Sequence, residues 1–137
     1  MVKCYLSITS LILLIPIILF SFKENKPISE IILAFLLTNN SIISFLFWIN
    51  PSKNSQLHFY DGIFAKISYI LFPIYILFIK DIFYLLKTIF IIIFLLSTTL
   101  FYCSDYHSKH CWCSKKHIIY HSLFHILIGV GTSFAFI

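Results

Sequence analysis

The chain has 137 residues, of which 60% are hydrophobic and 11% charged, with a net charge of +5 and a mean hydropathy of +0.96. Soluble domains carry about 25% charged residues, so an ordinary soluble fold is excluded, and no polar stretch is long enough to build a separate soluble module. The expectation is an all-α integral membrane bundle forming a single domain over residues 1–137. All the basic residues are lysine and sit mostly in loops, where they suit anionic lipid headgroups better than nucleic acid.

Five apolar runs follow one another, each near the ~20 residues needed to cross a bilayer. The first covers about residues 4–22 and is broken only by Pro16. A signal peptide has an apolar core of roughly 7–15 residues and a small-residue cleavage site. This run is longer and the Ser-Phe-Lys-Glu-Asn that follows suits cleavage poorly, so a first span is expected, with a signal peptide as the alternative. Pro27 is placed to begin the second span, about 28–49, which carries Asn39, Asn40, Ser41 and Ser44 and ends at Trp48, an interfacial anchor type.

The third span, about 58–79, opens with His58 and Asp61 and contains Pro73. Lys80-Asp81 marks a tight turn. The fourth span covers about 82–103, with Lys87 snorkelling toward the headgroups. Residues 104–116 read as the longest polar loop, and the fifth span covers about 117–137. Alternating spans place the two termini on opposite sides. The loop lysines divide almost evenly between the two faces, with a slim excess that favours a cytoplasmic amino terminus and a cytoplasmic His-rich loop.

The last span repeats a polar or small residue at every fourth position: His117, His121, His125, Gly129 and Ser133. Such residues stack on one side of a helix, drifting by roughly 40° per step. Ionisable groups inside a membrane usually face a protein interior or a wet cavity. With five spans, the end of the second and the starts of the third and fifth share one face. Ser44, His58, Asp61, His117, His121 and His125 then lie within about two turns of that face, at ~1.5 Å per residue.

Histidines four apart can offer two imidazoles to one metal, and a catalytic zinc takes three protein ligands plus a water. His58, His121 and His125 would bind the zinc. Asp61 would act as base or orienting group, and Ser44 would assist the water or a developing oxyanion. His117, at the membrane edge, is read as interfacial. A hydrogen-bonded structural network remains open, as does a haem or proton-relay site using His58 with His121 or His125. A second cluster, Cys103, His107, His110, Cys111, Cys113 and His117, matches no strong zinc-finger spacing. A solvated loop is the default there, with a metal site or a disulfide as alternatives.

Ser44-Phe-Leu-Phe-Trp48, Asp61 and His121-Ser-Leu-Phe-His125 together resemble the CREST superfamily of membrane hydrolases, which includes alkaline ceramidases and progestin/adiponectin receptors. The family pattern is Ser-x3-His, an Asp in the next helix, and His-x3-His in the last. The resemblance implies a zinc-dependent hydrolase acting on a lipid amide or ester. Trp48 stands where that family has its first zinc ligand, and the family as a rule has seven spans where five are expected here.

Overall fold

The computed structural model describes residues 4–137; Met1–Lys3, including the first lysine of the charge balance, lie outside the described residues. Every element among the described residues is helical. Helix α1 (Cys4–Ser10) passes through a 3-10 turn (Leu11–Leu14) into α2 (Ile15–Phe22), making one rod. Pro16 lies in the first turn of α2 and has no N–H for the Ile12 carbonyl four residues back. Tightening to 3-10 geometry lets the Ile15 N–H bond that carbonyl instead.

Helix α3 (Ile28–Ile49) starts after the extended Pro27, whose carbonyl takes the N–H groups of Glu30 and Ile31. Helix α4 (Gln56–Ile74) holds Pro73 in its last turn and continues as a π-turn (Tyr75–Ile79) closed by Lys80 N–H on the Tyr75 carbonyl at 2.7 Å. Helix α5 (Tyr84–His110) and helix α6 (Lys115–Ser133) complete the chain.

Three of these stretches are long and apolar enough to cross a membrane: Ile28–Ile49, Gln56–Ile79 and Tyr84–His110. The first rod is shorter. Helix α6 is not among them, because its lysines and three histidines hold its hydropathy down.

One boundary corrects the sequence reading. The polar run from Ser104, expected to be loop, continues α5 as helix to His110, leaving only residues 111–114 as the connection. Asp105 and Lys109 pair at 2.6 Å across one turn, and His107, Lys109 and His110 complement the negative end of the helix dipole. Polarity alone does not end a helix.

Helix α6 packs lengthwise on α5 and, on its other side, on the first rod; α3 packs on α4 and on that same rod. Gly129 permits one of these approaches, since a Cβ there would stand 3.0 Å from Ile12 Cγ2 and 3.3 Å from its carbonyl oxygen. Helices α4 and α5 flank the remaining gap with little direct backbone packing. Side chains bridge it: the Tyr69 hydroxyl bonds Thr98, and its ring stacks on Phe94 at 4.7 Å. Leu13, Leu37, Phe72, Ile76 and Phe90 form the buried centre.

The two ends of the bundle differ. At one, Leu6, Phe47, Trp48 and Ile118 cluster with Trp112 against them. At the other, buried Glu30 binds Lys23 at 2.7 Å, Lys80 at 2.6 Å and the Tyr75 hydroxyl at 2.9 Å, while Lys80 also bonds the Ala135 carbonyl. Burial pushes the Lys80 ammonium below its ordinary pKa despite the pull of Glu30. For Lys23 burial acts downward too, but bonding to Glu30 outweighs it and its pKa is raised.

Candidate functional site

A cavity of about 500 Å³ lies among α3, α4, α5 and α6. Ser44, His58, Asp61, His117, His121 and His125 all line it, so the positions singled out in the sequence do meet at one place. Helical spacing brings them there: Ser44 is on the buried stripe of α3 with Ser41, while His58 and Asp61 lie one turn apart on α4. Ser44 is the polar side chain that faces Asp61.

Helices α4 and α6 begin in the same way. Asn54 and Cys113 each adopt a positive φ, 65° and 58°, just before a serine that caps the helix. Ser55 accepts the N–H of His58 at 3.2 Å, and Ser114 accepts that of His117 at 3.3 Å. Each histidine answers with its ring: His58 Nδ1 accepts the Asn54 N–H at 3.1 Å, and His117 Nδ1 accepts the Cys113 N–H at 3.2 Å. These are capping boxes with histidine in the place of the usual Glu or Gln, reaching one residue further back.

That geometry fixes the tautomers. A backbone N–H can only donate, so both Nδ1 atoms carry lone pairs and each neutral ring holds its proton on Nε2. The two rings flank Trp112 at 5.3 and 5.1 Å between centroids, and His58 also stacks on Phe47 at 5.1 Å.

The deeper pair is held differently. His121 Nδ1 bonds Ser104 Oγ at 3.0 Å, and His125 Nδ1 bonds Thr9 Oγ1 at 3.2 Å. The Thr9 hydroxyl donates its proton to the Leu6 carbonyl, so it accepts from His125. His125 therefore carries its proton on Nδ1 and presents a bare Nε2. The two rings are 4.7 Å apart. Thr9, Ser104 and Trp112 had no motif to mark them; only the Ser-x-x-His spacing at Ser55–His58 and Ser114–His117 was there to be read.

The zinc set of His58, His121 and His125 is not assembled. Among the described residues no three His, Cys, Asp or Glu side chains are grouped to hold a metal ion. His58 has no nitrogen to offer, with Nδ1 engaged by Asn54 and Nε2 protonated. The same reasoning removes it as a haem ligand. His117, expected at the membrane edge, is buried, and so is Trp48, expected as an interfacial anchor. Trp48 Nε1 and Ser68 Oγ are the buried polar side-chain atoms left without a partner among the described residues. Cys103 and Cys111 form no disulfide. Comparison with protein-family models, with curated proteins and with solved structures finds no match to this chain.

Proposed function

We propose that the chain is an integral membrane protein whose helical rods cross the bilayer, and that its cavity takes the head of a lipid-like ester or amide and hydrolyses it. The observation that carries this reading is the meeting of Ser44, His58, Asp61, His117, His121 and His125 on one cavity of ligand size. Ionisable groups gathered inside an apolar bundle are costly and mark function. The outer surface supports the membrane setting, since Ile32, Phe35, Ile70, Phe78 and Leu95 all stand exposed.

In this reading Asp61, steadied by Ser44, takes a proton from water as the water oxygen adds to the acyl carbon. The Nε2–H groups of His58 and His117 are donors for the oxygen that gains charge. The acyl C–O or C–N bond then breaks and the proton held by Asp61 passes to the leaving atom, giving a carboxylic acid and an alcohol or amine. Zinc, which the family resemblance implies, finds no three-ligand seat among these residues, and no step is assigned to it.

The test is hydrolysis of fluorescent N-acyl and O-acyl lipids by the protein in nanodiscs, wild type against Asp61→Asn. Release of acyl chain by the wild type and its loss in the variant support the reading; no release from either class of lipid overturns it. A second reading rests on the four Nδ1 hydrogen bonds, which tie helix starts and helix pairs together without any chemistry. It expects inactivity throughout.

A further inference from the structure

The cavity runs along α6, and its two ends differ in chemistry. It reaches from Trp112 and His117 to Gly131 and Thr132. The climb from His117 to Thr132 on α6 is roughly 22 Å at ~1.5 Å per residue.

The histidines and Asp61 lie toward the Trp112 end and Asn40, Ser68 and Ser97 line the middle, while Leu13, Phe72, Phe90 and Ile128 give the far part its apolar wall. The hydroxyl of Thr132, at the far end, is spent on the Ile128 and Gly129 carbonyls of its own helix. We infer that the ligand is an amphiphile with an extended hydrocarbon tail, its head among Asp61, His58 and His117 and its tail running toward Gly131, which limits the chain length the site accepts. This rests on the reading above for the nature of the head, an ester or amide, and adds the tail and its ruler.

Gly131 is suited to that role. Its φ is not positive, so a side chain is sterically permitted by the backbone. A Cβ there would meet Ile93 Cγ2 at 3.5 Å and Phe90 Cε2 at 3.7 Å, which is ordinary contact. A methyl therefore fits, and a longer side chain presses on Phe90 and Ile93, which themselves line the cavity. The gap between α4 and α5, bridged by Tyr69 and Thr98, gives the tail a sideways path from the bilayer.

The experiment uses the fact that the chain has two tryptophans, Trp48 and Trp112, both lining the head end. Full-length protein in nanodiscs is titrated with non-hydrolysable 1-O-alkylglycerols of graded chain length, some brominated beside the ether and some at the chain terminus. Bromine beside the ether should quench tryptophan emission strongly and terminal bromine weakly. Gly131→Leu should weaken binding of the longest chains at least tenfold and leave the shortest unchanged, with Gly131→Ala close to wild type. Ile128→Phe, one turn nearer the head, should shorten the accepted chain further. Equal quenching from both bromine positions, or an unchanged length profile in either folded bulky variant, would overturn the inference. Binding is read without turnover, so a failure of hydrolysis and a failure of the ruler are separate results.

Discussion

His58 Nδ1 accepts the backbone N–H of Asn54 at 3.1 Å, a bond that commits the ring to its own helix start and leaves its other nitrogen as an N–H. His117 repeats the arrangement with Cys113 at 3.2 Å. Removing either cap should cost stability and not metal. His58→Ala and Ser55→Ala are each expected to lose about 1 kcal/mol, while His58→Gln, which keeps an acceptor at the same helix position, should recover part of that loss. Chemical denaturation in detergent measures the first effect and metal analysis the second. Loss of a bound zinc in His58→Ala would restore the three-histidine site.

At the opposite end, Glu30 satisfies two lysines and a tyrosine in a buried setting. Glu30→Gln leaves Lys80 buried without a counter-charge, and breaking such a pair costs about 3–5 kcal/mol. Lys23→Ala removes a more exposed partner and should cost much less, about 1 kcal/mol or below. Equal losses from the two variants, measured by thermal unfolding, would show that Glu30 and Lys80 do not depend on each other as the geometry indicates.

Tyr69 and Thr98 join the two helices that otherwise scarcely pack. Tyr69→Phe deletes the hydroxyl and keeps the ring stacked on Phe94, so the expected loss is about 1 kcal/mol. Hydrogen exchange should rise along α4 and α5 near the gap and stay unchanged where α6 meets the first rod. A uniform rise would place the role of this bond in global stability instead.

Leu6 belongs to the cluster at the histidine end, and the Ala135 carbonyl is bonded at the Glu30 end. In a membrane these ends face opposite sides, so tags fused to the two termini should be labelled from opposite sides of sealed vesicles. Labelling of both from one side would remove the spanning topology.

The sequence revealed the number of helical rods and the meeting of the six polar residues, because four-residue spacing and alternating apolar runs act through local geometry. It hid whatever depended on partners far along the chain. Glu30 gave no sign of Lys80, fifty residues on, and His125 gave none of Thr9. The hydrogen bond at His58 could not be read because it turns on the φ of Asn54 and the orientation of one N–H, which composition does not record. Ser104–His110 looked like loop by polarity, yet the Asp105–Lys109 pair and the basic last turn sustain the helix.

Asp61 is where the central claim is most exposed. Removing a general base typically slows a reaction about 10²–10⁴-fold, whereas Asn at this position keeps the size and most of the hydrogen bonding toward Ser44. The decisive measurement is acyl release from an ester or amide lipid by wild type, Asp61→Asn and Ser44→Ala in nanodiscs, with folding checked by unfolding temperature. The expected result is at least a hundredfold loss for Asp61→Asn, a smaller loss for Ser44→Ala, and unfolding temperatures close to wild type. A folded Asp61→Asn that hydrolyses lipid at the wild-type rate would contradict it.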